Sequence, residues 1–220
     1  MLGATGLVGG HCLDILVADE AYARVIVLAR KPLPHHLPKL LWHVVDFDRL
    51  AELGGLLRAD DVFCCLGTTI RAAGSREAFD RVDFGYVVEA ARVAAENGAG
   101  QLLLVSAVGA APESRVFYSR VKGQVEQAVR ELPFRGVHIF RPSLLLGRRA
   151  DSRPGERIAA ALMVPLSRLL VGRARRYRPV PAVDLAAAMV AVAKGAPPGV
   201  NVFESDRIAV LAAGLATGAS

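Results

Sequence analysis

Three residues in the middle of the chain, Ser106, Tyr118 and Lys122, have the clearest chemical use. Tyr118 and Lys122 lie four residues apart in a segment with a helical pattern, which places both side chains on one helix face, about 6 Å apart along the axis. An ammonium beside a phenol favours the phenolate, and this suits the phenol to general acid/base work. Ser106 follows an apolar run, Leu102 to Val105, and its hydroxyl could hold a carbonyl oxygen in line with the phenol. Together the three residues could move a proton to or from an alcohol or carbonyl oxygen.

The Tyr-Lys spacing alone is a weak signal. With four Tyr and four Lys in 220 residues, it arises by chance in roughly one such chain in fourteen. The chain uses 23 Arg against 4 Lys, and Arg cannot replace a compact ammonium that must bond ribose hydroxyls and tune a phenol. The pair therefore indicates catalysis only if a nicotinamide cofactor lies beside it.

A glycine motif at the start of the chain is where such a cofactor would bind. Glycines three residues apart let the backbone turn tightly and approach a pyrophosphate, and the helix that follows offers free N–H groups. Only two residues precede the motif, fewer than a central strand of typical length. We therefore expect a truncated first strand, because either the true start lies upstream or the strand is a stub. The predicted pyrophosphate contacts are Gly3, Thr5, Gly6, Leu7, Val8 and Gly9.

The end of the next apolar run, Val25 to Ala29, predicts the choice of cofactor. Arg30 and Lys31 follow it about twenty residues after the glycines, and no Asp or Glu occurs between Ala21 and Val45. An acid here would bond the 2′-hydroxyl of NAD, whereas cations suit the 2′-phosphate of NADP. The position favours NADP(H). The alternative is a cation pair that merely enters a proline-rich loop.

Strand and helix patterns alternate along the chain and predict a Rossmann-like α/β fold, a doubly wound parallel sheet with ligands at the carboxyl ends of its strands. Expected strands at 41–45, 61–66 and 137–140 end in residues that could border a cofactor, although a glycine and hydroxyls also suit any turn. Between them, residues 78–97 predict one long amphipathic helix, and the catalytic helix runs to about Leu132. The candidate contacts at these strand ends are Asp46, Phe47, Leu66, Gly67, Thr68, Arg141, Pro142 and Ser143.

The length predicts one domain over residues 1–220, in which 146–220 contributes a small substrate-side lobe with an apolar helix at 158–171. We expect no membrane span, no signal peptide and a reducing cytoplasm, since three Cys form no disulfide framework. The five His show no metal-ligand spacing, so no metal is predicted. Residues 141–178 hold ten Arg and two acids. With Tyr177 as the segment's only aromatic residue, a solvated face or a lining for an anionic cofactor is favoured over nucleic acid.

Seven segments of the chain resemble the short-chain dehydrogenase/reductase superfamily, in an atypical branch similar to the Tat-interacting-protein type of oxidoreductase. Four of them are Gly-Ala-Thr-Gly-Leu-Val-Gly, Cys-Leu-Gly-Thr-Thr, Phe-Tyr-Ser-Arg-Val-Lys-Gly and Phe-Arg-Pro-Ser-Leu-Leu-Leu-Gly. The resemblance implies a Rossmann fold that binds NADP(H), with Ser106, Tyr118 and Lys122 as the three catalytic residues. Tyr118 and Lys122 are also expected to contact the cofactor on its nicotinamide side. The chain departs from its relatives in its clipped first strand and in Ala107, where relatives often carry a second Ser.

Two functions remain open at this stage. The first is an NADPH-dependent oxidoreductase that interconverts a small-molecule carbonyl and an alcohol, acting as a monomer or homodimer. The second is a redox sensor that holds NADP(H) and regulates a partner without useful turnover, since fold alone does not settle function. The intact Tyr-Lys pair favours the enzyme, and no residue identifies the substrate.

Overall fold

A computed structural model describes residues 1–32, 37–147 and 170–217 of the chain. The strands of the described residues are β1 (Val25–Ala29), β2 (Leu40–Val44), β3 (Asp61–Cys64), β4 (Gln101–Val105), β5 (Gly136–Arg141), β6 (Leu145–Leu146), β7 (Val180–Pro181) and β8 (Gly199–Glu204). The helices are α1 (Leu7–Ala18), α2 (Ile70–Ala73), α3 (Arg76–Asp80), α4 (Val87–Glu96), α5 (Phe117–Arg130), α6 (Ala182–Gly195) and α7 (Ser205–Thr217), with 3-10 turns at Phe47–Leu57 and Gly172–Tyr177.

Leu2 joins two groups of parallel strands into one sheet. It bridges Leu28 of β1 on one side and Cys64 of β3 on the other, which gives the order β2-β1-Leu2-β3-β4-β5-β8. The Leu2 amide donates to the Phe63 carbonyl at 2.9 Å, and the Cys65 amide donates to the Leu2 carbonyl at 3.0 Å. The predicted truncated strand is thus a single bridged position at the centre of the sheet.

Helices cover both faces of this sheet, as the doubly wound prediction requires. One apolar core lies under α1, α6 and α7, and includes Val8, Leu185 and Ile208. The second lies under the 3-10 turn, α4 and α5, and includes Leu50 and Val125 among its members. Parallel strands buried on both faces need apolar runs, which explains why β1, β4 and β5 are so apolar. The predicted α/β fold class is confirmed.

Three parts of the chain differ in detail from the sequence prediction. The helix expected at 78–97 consists of α3, a π-helical turn at Arg81–Tyr86, and α4. Residues 146–220 contribute more than a lobe, because α6 packs on α1 and β8 extends the main sheet beside β5, while β6 pairs with β7 in a small separate sheet. The helix expected at 158–171 lies almost entirely outside the described residues.

Candidate catalytic and cofactor site

The catalytic pair lies on α5, at the carboxyl edge of the sheet. α5 begins at Phe117, so Tyr118 is in its first turn and Lys122 follows one turn later on the same face. Tyr118 is half-buried and its ring packs against Phe79, with 5.7 Å between ring centroids. Phe79 is fully buried. This contact limits how far the phenol ring can move.

Lys122 is buried and pairs with a carboxylate that the sequence analysis did not select. Its Nζ atom lies 2.7 Å from Oδ1 of Asp83, and the other Asp83 oxygen accepts the Thr68 amide at 2.7 Å. Burial by itself lowers the pKa of Lys122, but the charges of Asp83 and Tyr118 outweigh it and raise that pKa above its usual value. Lys122 is therefore held as an ammonium beneath the loop that follows β3.

Gly67 forms an opening above this ion pair. A Cβ placed on Gly67 would lie 3.3 Å from the Asp83 carboxylate and 3.5 Å from Lys122 Nζ. Any larger side chain would press on both groups. The absence of a side chain at Gly67 therefore lets the loop after β3 pack directly against the Lys122–Asp83 pair.

Ser106 follows β4 but does not face the phenol through a hydrogen bond. Its buried hydroxyl donates to Oε1 of Glu126 at 2.6 Å. Arg141, at the end of β5, donates to the same carboxylate from Nε at 2.9 Å and from Nη2 at 2.5 Å. Both residues were predicted to touch substrate or cofactor, and both are instead bonded to one glutamate of α5. Those predicted contacts remain untested predictions.

The glycine loop turns tightly and packs closely on the strand and helix beside it. Gly3 has a φ of +78°, and a Cβ there would lie 2.4 Å from the Cys65 carbonyl oxygen. A Cβ on Gly9 would lie 2.0 Å from the Gly3 carbonyl oxygen, so the helix can only pack this closely without a side chain. α1 begins with Gly6 at its N-cap, with no capping side chain and no acid in its first turn. Its first amides are therefore available to an anion, and Thr5 and Gly6 are exposed beside them. Leu7 is half-buried and Val8 belongs to the core.

A cleft of about 620 Å³ lies at the carboxyl edge, between the residues that follow β1 and those that follow β3. Arg30 stands on its wall, exposed directly after β1, and Lys31 is exposed next to it. The cleft is large enough for an adenosine moiety. Its other lining residues are Leu66, Gly67, Thr68, Ala72, Ala73, Ser75, Glu77, Ala78, Arg81, Val82 and Tyr86.

The remaining predicted contacts have local structural uses. Asp46 caps the 3-10 turn through the Asp48 amide at 2.9 Å. Phe47 is buried and packs against Tyr86, with 5.5 Å between ring centroids, so Tyr86 rather than Phe47 lines the cleft. Pro142 is buried and its carbonyl accepts the Val108 amide at 3.0 Å. The Ser143 hydroxyl donates to the Arg178 carbonyl at 2.5 Å.

Sequence reasoning missed Asp83, Glu126 and the two cleft residues Arg81 and Tyr86. Asp83 was assigned no role, although an acid inside an apolar helical stretch signals a buried partner. Glu126 continues the spacing of Tyr118 and Lys122 by four more residues, and that pattern could have selected it. Arg81 and Tyr86 carry no such sequence signal, because the π-helical turn that presents them was not predicted.

Curated relatives define the family. No protein-family model matches the chain. It is 39% identical to protein HTATIP2 of Rattus norvegicus over 163 residues, which cover 72% of this chain and 67% of the rat protein. It is 38% identical to the mitochondrial protein fmp52 of Aspergillus clavatus over 163 residues, which cover 71% of this chain and 70% of the fungal protein. The chain is a member of the NAD(P)-binding short-chain dehydrogenase/reductase family. Within that class, the chain belongs to the atypical branch of HTATIP2 and Fmp52.

Solved structures confirm the Rossmann architecture. MoeE5 in complex with UDP-glucose and NAD superposes with a TM-score of 0.68 at 15% identity, covering 98% of this chain and 81% of that one. Human epimerase family protein SDR39U1 with NADPH has a TM-score of 0.59 at 21% identity, covering 92% and 72%. At these identities the likeness shows the fold alone.

The relatives also correct one prediction. Fmp52 proteins from several fungi are named mitochondrial, so the cytoplasmic location expected from the cysteine content is wrong as a general assignment for this family. Cysteine content reports a reducing compartment at most, and it does not distinguish one such compartment from another. Among the described residues, no helix is long and apolar enough to cross a membrane. Nor do these residues contain a group of three or more His, Cys, Asp or Glu that could hold a metal ion.

Proposed function

We propose that the protein is an NADPH-dependent oxidoreductase that interconverts a carbonyl compound and an alcohol. The observation that carries this proposal is the placement of the buried Lys122–Asp83 pair beside Gly67, with Tyr118 one helical turn before Lys122, at one edge of a parallel sheet. Ligands of open α/β sheets bind at this edge. Membership of an oxidoreductase family with nicotinamide-binding structural neighbours supports the same class of function.

The residues present fit a nicotinamide dinucleotide. Close-packed glycines and the uncapped start of α1 suit its pyrophosphate, and the cleft beside Arg30 suits its adenosine half. Arg30 would take the adenosine 2′-phosphate through two charge-assisted hydrogen bonds, with Lys31 as a second charge. Lys122 would bond ribose hydroxyls below Gly67. When bound, the cofactor supplies the hydride, and the protein supplies binding, orientation and proton transfer.

Tyr118 would exchange the proton with the substrate oxygen. In the reductive direction its hydroxyl donates to the carbonyl oxygen, and the resulting phenolate is stabilised by the Lys122 ammonium one helical turn away. Asp83 keeps that ammonium in place, since it binds Lys122 with one oxygen and the Thr68 amide with the other. The Phe79 ring keeps the phenol beside the edge of the sheet.

A sensor that binds NADP(H) without useful turnover is the second candidate. One observation favours it: the Ser106 hydroxyl is donated to Glu126, so in this conformation it offers no hydrogen to a substrate oxygen. A site with a phenol but no second donor at that oxygen would be a weak catalyst, because each such donor contributes about 10²–10³-fold in rate.

A panel of aldehydes and ketones distinguishes the two candidates. Purified protein is incubated with NADPH and each compound, and loss of NADPH absorbance is followed. We expect at least one compound to give a kcat above about 1 s⁻¹, which is the low end of the range that is typical of enzymes. Tight NADPH binding with no turnover across the panel would favour the sensor.

A further inference from the structure

Three ionisable side chains follow one face of α5. Tyr118, Lys122 and Glu126 are spaced by four residues, and the first two carry the proposed chemistry. Glu126 is only 2% exposed. A carboxylate this deeply buried needs charged or hydrogen-bonding partners. Its partners show what it does for the other two.

Glu126 is bonded to the ends of two neighbouring strands. The Ser106 hydroxyl, directly after β4, donates to its Oε1 at 2.6 Å. Arg141, the last residue of β5, donates to both of its oxygens, at 2.9 Å from Nε and 2.5 Å from Nη2. These are charge-assisted bonds, which are stronger than neutral ones. One carboxylate thereby fastens α5 to the carboxyl edge of the sheet.

The start of this helix has contacts of its own: the Ser119 carbonyl accepts the Ala111 amide at 3.1 Å, and the Phe79 ring packs on Phe117 and Tyr118. Val116, at its N-cap, provides no capping side chain and is exposed, so the turn that holds Tyr118 gains nothing from a cap. Further along, a Cβ on Gly123 would lie 2.2 Å from the Ala111 carbonyl carbon, so the preceding loop packs directly on the helix there. The helix is therefore held by the Ala111–Gly123 contact, by the Lys122–Asp83 pair and by Glu126.

We propose that Ser106, Glu126 and Arg141 form an anchor that positions Tyr118 and Lys122, and that Ser106 acts through this anchor rather than on the substrate oxygen. A serine hydroxyl has one hydrogen, and Ser106 gives it to Glu126. Glu126 lies eight residues after Tyr118, about 12 Å further along the helix axis. The proposal rests on the proposed function for the roles of Tyr118 and Lys122, whereas the anchor itself can be measured in the folded protein alone.

A double-mutant cycle measures the anchor. Ser106→Ala, Glu126→Gln and the double variant are unfolded in urea, with Ser119→Ala on the same helix as the matched control. We expect each anchor substitution to lower the folding equilibrium constant by about tenfold or more. The double variant should lower this constant by about tenfold less than the product of the two single effects. Ser119→Ala combined with Glu126→Gln should be additive. Additive effects of Ser106→Ala and Glu126→Gln would overturn the anchor. If Glu126→Gln does not fold, Arg141→Lys takes its place in the cycle.

Positioning has its own readouts. In Ser106→Ala we expect hydrogen exchange of the amides of residues 117–122 to speed up by more than that of α4, and NADPH to bind about three- to tenfold more weakly. Coupling in stability without either change would make the anchor structural only and overturn its positioning role. If the wild-type chain binds no NADPH, the proposed function fails. The coupling energy in the urea experiments and the hydrogen exchange of residues 117–122 then still test the anchor.

Turnover separates positioning from direct catalysis by Ser106. If Ser106 works through Glu126, adding Ser106→Ala to the Glu126→Gln variant should leave kcat within about twofold. A donor to the developing oxyanion contributes about 10²–10³-fold regardless of Glu126. A further loss of that size would assign Ser106 to the substrate oxygen and overturn the proposal.

Discussion

Lys122 Nζ lies 2.7 Å from the Asp83 carboxylate, and both side chains are almost completely buried. Breaking a buried pair by removing one partner typically costs 3–5 kcal/mol, because the other charge remains in a medium of low dielectric. We therefore expect the stability of the fold to depend on this charge pair, and the proposed chemistry to depend on it as well.

Asp83→Asn should lower the free energy of unfolding by roughly 3 kcal/mol at pH 7. Without the carboxylate, burial lowers the pKa of Lys122 below its ordinary value, so the folded state binds its proton less tightly than the unfolded state. The loss should therefore shrink as pH rises from 7 towards 10. Urea unfolding at several pH values measures this, with Asp48→Asn in the exposed Arg81–Asp48 pair as control, expected to cost under about 1 kcal/mol. A loss as small as that of the control would show that the pair is not buried as described.

Arg30 should set the cofactor preference. Hydrogen bonds to charged groups contribute about 1.5–3 kcal/mol, so we expect NADPH to bind roughly ten- to a hundredfold more tightly than NADH, and less so at high salt. Arg30→Asp should move the preference towards NADH, since it repels the phosphate and offers an acceptor to the 2′-hydroxyl. Arg24→Asp, just before the other end of β1, changes the charge equally and should not alter the preference. Fluorescence titration with both cofactors measures this, and equal wild-type affinities would exclude Arg30 from cofactor choice.

An apolar extension ahead of Met1 should stabilise the protein. A cavity of about 470 Å³ lined by Met1 opens between β1 and β3, and we expect added apolar residues to fill it. The Met1 ammonium is buried there, donates to the Ile26 carbonyl at 2.7 Å, and has its pKa lowered by burial to about 6. Since the unfolded amine titrates near 8, stability of the present chain should fall as pH drops from 8 to 6. An extension of four apolar residues should raise Tm by several degrees and remove that dependence.

Extensions of four Gly/Ser residues are the control for this experiment. They move the charged amine away from Met1 but fill the cavity poorly. They should therefore abolish the pH dependence of stability and give a smaller gain in Tm than the apolar extension. Equal Tm values for the chain with and without the apolar extension would show that the added residues do not pack in this cavity.

His138 should make the fold sensitive to mild acid. It is fully buried in β5, and burial followed by the charge of Arg135 lowers its pKa to about 4. Its Nε2 lies 3.0 Å from Oε1 of Gln101, whose amide nitrogen donates to Asp61 at 2.7 Å. The Gln101 oxygen is therefore an acceptor, and the histidine is neutral with its proton on Nε2.

The sign of this effect follows from the two pKa values. The unfolded imidazole takes up its proton near pH 6.5, whereas the folded one does so only near pH 4. The free energy of unfolding should therefore fall by roughly 1–3 kcal/mol between these values. Measuring the free energy of unfolding at pH 7 and pH 4.5 checks this. His138→Gln should lose this part of the pH dependence, whereas the control His43→Gln, on edge strand β2, should retain it. An unchanged slope in His138→Gln would assign the acid sensitivity to other groups.

Much of the fold could be predicted because its signals are local. β1, β4 and β5 are apolar runs that burial on both faces requires, and the glycine motif marks the start of α1. β8 was missed because it is a half-exposed edge strand, Gly199–Glu204, that carries no continuous apolar run. The π-helical turn at Arg81–Tyr86 was missed because its apolar positions continue the helical pattern, and Gly85 alone does not distinguish a π-helical turn from an α-helix.

The candidate site divides in the same way. The spacing of Tyr118 and Lys122 is local to one helix and could be predicted, and so could the position of Arg30 after a strand. The partners of Lys122 and Ser106 could not be predicted, because Asp83 lies 39 residues from Lys122 along the chain and Glu126 lies 20 residues from Ser106. Only tertiary packing determines which of several nearby polar groups receives a given hydrogen.

The substitution Tyr118→Phe tests the proposed chemistry most directly. It removes the transferable proton and keeps the ring that packs on Phe79. At saturating NADPH and with a compound that the wild-type protein turns over, we expect kcat to fall by roughly 10²–10⁴-fold while NADPH affinity stays within about threefold. Tyr22→Phe, at the opposite edge of the sheet, should retain wild-type kcat. If Tyr118→Phe turns over that compound as fast as wild type, Tyr118 is not the general acid/base and the account of this site is wrong.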